Sequence, residues 1–325
     1  MPKTCSDQAP ARLNLHGPTM GTRWSVTCDT APDFNPEALR AALQAAVDQV
    51  DAQMSPWKPD SDLRRLNRAE VDAWIALPAE ILDVLARAME INRLSDGAFD
   101  PGVGDLVDAW GFGPTRDAPD AEAIRTAKQH DRRPCRQGLE LDLDAGRARR
   151  LAPLQLDLCG IAKGYAVDRL VGVLQRHGIK HALAAVDGEL RAVGGQANGQ
   201  LWPIALESPQ AGVRAVHGVI EIADLAVATS GDYRRFFPVG DARLAHTMDS
   251  RNAGPVNNGV ASVTVLARTC MDADAWATAL LVLGPEKGLS LARHLGLEML
   301  MLLRGKHGLL ELGSGRFDQD EGRTN

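Results

Sequence analysis

Apolar residues at helical spacing predict several amphipathic helices. From Leu39 to Met54 they recur every three or four residues, and Asn35 followed by Pro36 is typical of a helix start. A second helix is predicted over residues 79–94, because the apolar side chains share one face and Asp96-Gly97 follows. Further helices are predicted near 121–130, from 161 to 177, from 272 to 283, and beyond Gly284-Pro285 up to 294.

Alternating apolar and polar positions predict strands, most of them in the second half of the chain. The glycine-rich stretch 97–113 predicts an irregular loop, because it lacks both periodicities. Short hairpins mixed with helices indicate an α+β fold rather than a doubly wound parallel sheet. The predicted strands are 155–158, 182–193, 202–206, 213–222, 261–267, and the hairpins 138–149 and 298–312.

Composition limits the classes of protein that remain. The chain has 325 residues, of which 45% are hydrophobic and 24% charged, as in folded proteins with one large domain or two. The net charge of -6 argues against a nucleic-acid partner. The five cysteines are widely spaced without a Cys-x-x-Cys pair, which argues against a zinc knuckle or a disulfide framework.

The chain contains no apolar run long enough to span a bilayer, and residues 1–10 do not resemble a secretory signal. We therefore expect a cytoplasmic location for the sequence as given. The periplasm is the alternative if a leader is missing from that sequence.

Two oxygen-bearing side chains of the predicted helix 272–283 face the same way. Asp274 and Thr278 are four residues apart, so they lie on one helix face and could share a hard cation such as Mg²⁺. The alternative is structural, because Asp272 and Asp274 would also favour the first turn of a helix through its dipole.

The segment from Asp157 to Tyr165 predicts a strand-to-helix junction that could present backbone N–H groups to a phosphate. It is not a Walker A loop, and an ordinary turn is the alternative. Cys159 within it is interpreted as a small buried residue rather than a nucleophile.

His246 and Asp249 form a candidate acid/base pair, with a structural histidine as the alternative. Thr229-Ser230-Gly231 is interpreted as a turn.

Seven stretches, in this order, resemble the ApbE family of FAD:protein FMN transferases. Each is weak alone, but together they cover most of the chain between Gly17 and Gly284. They are TMGT at 19–22, MSPWKPDSDLRRLN at 54–67, DGAFDPGVGDLVDAWGFG at 96–113, DLCGIAKGYAVD at 157–168, ATSGDYRRFF at 228–237, HTMDSRNAGP at 246–255 and DADAWATALLVLG at 272–284.

The resemblance implies a T-fold-like α+β architecture with antiparallel sheets and flanking helices. The implied flavin transferase domain spans residues 17–312, either as one unit or as two lobes with FAD between them. Residues 1–16 would then be an N-terminal extension, and residues 313–325 a disordered tail.

The resemblance also implies the reaction. FAD would bind with Mg²⁺, FMN would pass to a Thr or Ser hydroxyl of a partner flavoprotein, and AMP would leave. The implied metal ligands are Asp274, Thr278 and the carbonyl of Gly160, and the implied base is His246. The implied contacts to the flavin nucleotide are Met20, Trp57, Ala98, Phe99, Asp100, Asp157 and Lys163.

Two other functions would use the same residues. The first is a Mg²⁺-dependent FAD pyrophosphatase that releases FMN and AMP, and the second is a non-catalytic flavin-binding protein. The chain departs from the family pattern at Cys159, at Ser250, and at residues 186–189, where Val-Asp-Gly-Glu replaces a more usual pair of glycines. The change at Asp187 and Glu189 lies where the backbone would approach the nucleotide.

Overall fold

The computed structural model describes residues 11–129, 133–210, 215–234, 236–239, 242–306 and 308–318. Its helices are α1 (Pro36–Met54), α2 (Asp62–Arg68), α3 (Ala79–Leu94), α4 (Gly104–Ala109), α5 (Ala121–Gln129), α6 (Cys135–Gly138), α7 (Ala162–Arg176) and α8 (Cys270–Leu295). Its strands are β1 (Ala11–Thr19), β2 (Thr22–Thr30), β3 (Ile75–Ala76), β4 (Leu139–Asp142), β5 (Arg147–Arg150), β6 (Ala182–Val186), β7 (Glu189–Val193), β8 (Trp202–Glu207), β9 (Val216–Ile222), β10 (Ala226–Gly231), β11 (Phe236–Val239), β12 (Ala242–Ala245), β13 (Met248–Asp249), β14 (Gly254–Pro255), β15 (Val260–Ala267), β16 (Glu298–Gly305) and β17 (Gly308–Ser314).

An antiparallel sheet of eight strands, in the order β1-β2-β6-β7-β10-β15-β16-β17, organises the fold. Because side chains alternate along a strand, each strand contributes to both faces. On β16, Met299 and Met301 belong to the main core with the helices, while Leu300 and Leu302 pack with the β8–β9 hairpin on the other face. The sheet is therefore covered by helices on one side and by a small hairpin on the other.

Helices α7 and α8 meet through an unusually close backbone contact. A Cβ at Gly164 would lie 2.2 Å from the carbonyl oxygen of Cys270, so only glycine fits there. Each helix also supplies a carboxylate to the other's free N–H groups: Asp168 accepts from the amides of Cys270 and Met271, and Asp274 accepts from the amide of Gly164. These bonds fix the start of α7 against the first turns of α8.

Several strand ends and turns gather at one end of the sheet, beside these helix starts. The β1–β2 turn has two left-handed residues, Met20 (φ 45°) and Gly21 (φ 70°), as a tight two-residue hairpin requires. The β6–β7 turn lies next to it, because the amide of Asp187 donates to the carbonyl of Arg23 at 3.2 Å. The last residues of β10 reach the same end, as their contact with α8 described below shows.

The main helices and hairpins match their predictions. The Asn35 side chain caps α1, α3 spans the predicted residues, and α8 is interrupted at Gly284 (φ 77°) before Pro285. The hairpins β4–β5 and β16–β17 also form where they are predicted, whereas the predicted strand 182–193 is divided into β6 and β7 by a turn at Asp187 and Gly188. No helix in the described part of the chain is long and apolar enough to cross a membrane.

Other predictions were wrong. The stretch 97–113 contains the short helix α4, which buries Leu106. Residues 155–158 are irregular, with a bridge between Gln155 and Val103, instead of a strand. The edge strand β1 starts at Ala11, inside the predicted extension, because it pairs with β2 along its length. The sequence patterns also missed β1, β2, β10 and α2.

The predicted disordered tail from residue 313 was also placed too early. Strand β17 continues to Ser314, whose hydroxyl donates to the carbonyl of Leu297 at 2.7 Å. A 3-10 turn at Gly315–Phe317 follows, and Arg293 pairs with Asp318. Residues 1–10 and 319–325 lie outside the described residues.

Replacing Gly164 with alanine tests the close contact between α7 and α8. We expect Gly164→Ala to lower stability by about 1–3 kcal/mol, because the backbone atoms it meets cannot yield without separating the helices. Gly172→Ala in the same helix is the matched control, since its Cβ would meet only the end of the Arg176 side chain at 3.4 Å. The control should be neutral or stabilising by about 0.5–1 kcal/mol. Chemical denaturation of both variants measures the difference, and equal stabilities would contradict the packing argument.

Candidate functional site

Three of the implied site residues meet at the start of α7. A Cβ at Gly160 would lie 3.1 Å from Thr278 Oγ1 and 3.3 Å from the ring of Phe99. The absence of a side chain at Gly160 therefore lets the junction before α7 approach both α8 and the turn after α3. The Gly160 backbone thus lies next to the Thr278 hydroxyl.

Asp274 lies one helical turn from Thr278 and is 3% exposed. Its Oδ2 accepts a hydrogen bond from the Gly164 amide at 3.0 Å. Burial, and then the charge of Glu189, raise the pKa of Asp274 to about 7, while Lys163 and the Gly164 N–H act in the opposite direction. The site therefore contains a carboxylate whose negative charge the protein only partly compensates. Asp272, by contrast, lies in the first turn of α8 and pairs with Arg87. Of the two acidic residues, only Asp272 therefore fits the alternative of a charge that favours the helix start.

Lys163 and Glu189 form an ion pair beside Asp274. The Lys163 ammonium lies 2.6 Å from Glu189 Oε1, and Glu189 is 3% exposed. Burial alone would lower the pKa of Lys163, but the negative charges of Glu189 and Asp274 keep it above its ordinary value. Lys163 is therefore a fixed positive charge next to the carboxylate of Asp274.

Ser230 connects the end of β10 to Thr278. Its Oγ lies 3.0 Å from Thr278 Oγ1, so one hydroxyl donates to the other. Ser230 and Thr229 belong to strand β10, which corrects their interpretation as a turn. If Thr278 donates, its oxygen lone pairs remain available for a cation, and Ser230 orients them.

Two asparagines that the sequence patterns did not single out hold the loops of the site. Asn67 Nδ2 donates to the carbonyl of Leu156 at 2.9 Å, and Asn67 Oδ1 accepts from the Leu156 amide at 2.8 Å. Asn92 is fully buried and donates to the carbonyl of Phe99 at 2.7 Å. Asparagine among apolar helix positions is the only signal that could have indicated these roles.

The turn 98–100 and the junction at Asp157 are hydrogen-bonded to one another. The Asp157 amide donates to the carbonyl of Pro101 at 2.7 Å, and Asp157 Oδ1 accepts from the Cys159 amide at 2.7 Å. Asp100 Oδ1 accepts from the Gly102 amide, and Ala98 is buried. Cys159 itself is exposed, which corrects its interpretation as a buried residue.

The remaining implied flavin contacts lie at the edges of this region. Met20 occupies the tip of the β1–β2 hairpin, and Trp57 follows α1 with 49% of its surface exposed. A cleft of about 610 Å³ lies between α2, α4 and the segment 155–157, and of the implied flavin contacts only Asp157 lines it. An exposed indole offers a flat surface for a ring to stack on.

His246 lies on a loop that packs against the α4 region. Its ring is 6.2 Å from that of Phe112 in an edge-to-face arrangement, and Phe112 in turn contacts Phe237 at 4.7 Å. Asp249 is buried and accepts hydrogen bonds from Arg251 and Asn252. These contacts give Asp249 a role in shaping the loop that carries His246.

Comparisons with known proteins identify the family that this chain resembles. A family model described as "ApbE family" matches residues 20–301. FAD:protein FMN transferases from Vibrio cholerae and Klebsiella pneumoniae are 36% and 35% identical, over 94% and 97% of this chain and 92% and 91% of their own. The crystal structure of the Pseudomonas stutzeri flavinyl transferase ApbE, in its apo form, superposes with a TM-score of 0.86 at 33% identity, covering 99% of this chain and 100% of the other.

The chain therefore belongs to the ApbE family. The predicted α+β class with antiparallel sheets and flanking helices is confirmed. The individual roles implied for the flavin contacts, the metal ligands and His246 stay predictions.

The buried charge of Asp274 predicts a pH-dependent stability of the metal-free protein. Because its pKa is raised from 3.8 to about 7, the folded state binds more protons than the unfolded state between these two pH values, and stability falls as the pH rises through that window. The side chain in Asp274→Asn cannot titrate and can still accept a hydrogen bond from the Gly164 amide. We therefore expect this variant to be more stable than the wild type at about pH 8.5, and we expect that advantage to shrink or reverse at about pH 5.

Thermal melts in EDTA at both pH values measure this difference. Asp272→Asn is the control. It also removes one negative charge from α8, but Asp272 is partly exposed and pairs with Arg87. A pH-independent difference between Asp274→Asn and the wild type would contradict the assigned charge state.

Proposed function

We propose that this chain is a Mg²⁺-dependent FAD:protein FMN transferase, which moves FMN from FAD to a Thr or Ser hydroxyl of an acceptor flavoprotein and releases AMP. Family membership and the names of its relatives support the reaction. The observation that carries the proposal is the convergence of Asp274, Thr278 and the Gly160 backbone beside a helix start.

These residues fit a magnesium ion. The carboxylate of Asp274 is buried with only partial compensation of its charge. Thr278 lies one helical turn further along α8, and its hydroxyl lies next to the Gly160 backbone. Within the described residues no group of three His, Cys, Asp or Glu side chains could hold a metal. That is compatible with Mg²⁺, which uses one or two carboxylates and completes its shell with water and substrate phosphates.

Two side chains would take part directly in substrate binding and proton transfer. Lys163 would hold the pyrophosphate through the positive charge of its ammonium group. The amides of Ala162 and Gly164 at the start of α7 already donate to the carbonyl of Leu158 and to the Asp274 carboxylate. His246 would accept the proton of the acceptor hydroxyl as its oxygen attacks the phosphorus of the FMN part and the bond to AMP breaks. Bound Mg²⁺ would polarise the phosphoryl oxygens and neutralise the charge that develops on AMP.

Intact-protein mass spectrometry tests the proposed reaction. A flavoprotein domain with a threonine acceptor is incubated with this protein, FAD and Mg²⁺, and the nucleotides in solution are analysed in parallel. We expect the domain to gain the mass of one FMN while AMP appears. FMN and AMP without an adduct would instead indicate the pyrophosphatase, and unchanged FAD would indicate a binding protein.

The metal assignment predicts a specific loss of activity in Asp274→Asn. Magnesium-dependent turnover should fall by at least about 10²-fold, because a hard carboxylate ligand becomes a neutral amide, while FAD binding persists in part. The measurement is the initial rate of flavin transfer as a function of Mg²⁺ concentration. Asp272→Asn should retain the wild-type rate, and wild-type activity of Asp274→Asn at limiting Mg²⁺ would refute the assignment.

The base assignment predicts that His246→Ala slows transfer more than it weakens FAD binding. A general base contributes about 10²–10⁴-fold, so a loss of that size in kcat with a small change in the Kd for FAD is expected. His217→Ala serves as the control, because His217 lies on β9 and pairs with Glu311 of the edge strand β17. Equal losses in rate and affinity would assign His246 to binding.

A further inference from the structure

Glu189 has an unsatisfied oxygen in the interior. It starts strand β7 immediately after the turn at Asp187-Gly188, and only 3% of its surface is exposed. Oε1 accepts from Lys163 at 2.6 Å, but Oε2 has no hydrogen-bond partner among the described residues. Because burying a charge without full compensation is unfavourable, such a group needs an explanation.

The surroundings of Glu189 contain more negative than positive charge. Glu189 and Lys163 both act electrostatically on Asp274, and Asp187 acts on Lys163 as well. Two further cations lie near this turn and strand, but both are engaged elsewhere: Arg234 by Asp187 and Glu207, and Arg191 of β7 by Asp168. Lys163 therefore faces two buried carboxylates, Glu189 and Asp274, and it forms its ion pair with Glu189.

The choice of partner has a consequence for Asp274. If the ammonium of Lys163 moved to Asp274, it would neutralise that carboxylate and occupy the space beside its oxygens. The ion pair with Glu189 at 2.6 Å prevents this, because it holds the ammonium on the β7 side.

We propose that Glu189 is a positioning residue of the cation site: it holds Lys163 away from Asp274 and keeps the Asp274 carboxylate available for a divalent cation. This inference rests on the proposed function, since it assigns the cation to Asp274. Glu189 does not have to bind the cation itself. Its charge also attracts the cation, so both effects act in the same direction.

Neutralising Glu189 should weaken cation binding before any flavin is present. In Glu189→Gln the neutral amide no longer forms an ion pair with Lys163. The site loses one negative charge, so its net charge becomes more positive by one unit. We expect the affinity for Mn²⁺, measured by electron paramagnetic resonance of the free ion without FAD, to fall by about tenfold or more. Glu140→Gln is the matched control, because Glu140 also pairs with a cation, Arg149, but on the peripheral strand β4.

A double variant distinguishes positioning from a purely structural role. Glu189→Gln combined with Lys163→Gln removes both charges, so Mn²⁺ affinity should return to within a few fold of the wild type. A structural role predicts instead that the double variant binds as poorly as Glu189→Gln or worse. Circular dichroism and thermal melts establish that each variant is folded.

The outcomes separate the inference from its premise. Wild-type protein that binds no Mn²⁺, or binds it equally well as Asp274→Asn, would contradict the cation site itself. Mn²⁺ binding that depends on Asp274 but is unchanged in Glu189→Gln would leave that site intact and overturn the role of Glu189. A loss in Glu189→Gln that Lys163→Gln reverses supports the inference.

Discussion

The hydrogen bond from the Gly164 amide to the Asp274 carboxylate is the interaction on which the site depends. It satisfies a free N–H group at the start of α7, and it fixes the position of an acidic side chain on α8. Because Gly164 has no side chain, the two helices approach closely enough for this bond to form. The same approach brings Gly160 to Thr278, so that fold stability and the geometry of the candidate cation site share one contact.

This arrangement has an energetic cost that the proposed function explains. Asp274 and Glu189 are both buried, and Lys163 is paired with only one of them. A protein selected for stability alone would have little use for a second buried carboxylate there. A divalent cation with substrate phosphates would compensate the charge, and the folded protein would then be stabilised by its ligands. Ser230 contacts the Thr278 hydroxyl, and the two buried asparagines, Asn67 and Asn92, hold the surrounding loops in place.

Local patterns predicted the parts of this structure that local interactions determine. The cap at Asn35-Pro36, the break at Gly284-Pro285 and the shared face of Asp274 and Thr278 follow from helix geometry alone. The ion pair of Lys163 with Glu189 joins residues on a helix and a distant strand, so no spacing rule could indicate it. The edge strand β1 and the hydrogen bonds of Asn67 to the Leu156 backbone likewise depend on tertiary contacts, which local sequence patterns do not specify. The resemblance to the ApbE family supplied the site residues that spacing left ambiguous.

In the proposed function, Asp274, Thr278 and the Gly160 carbonyl hold a divalent cation against the pyrophosphate of FAD. Its most direct test is a crystal structure of the protein with FAD and Mn²⁺, in which anomalous scattering locates the metal. We expect a peak within coordination distance of Asp274, Thr278 and the Gly160 carbonyl, in contact with the pyrophosphate. A metal bound elsewhere, or FAD bound with its pyrophosphate remote from Asp274, would contradict it.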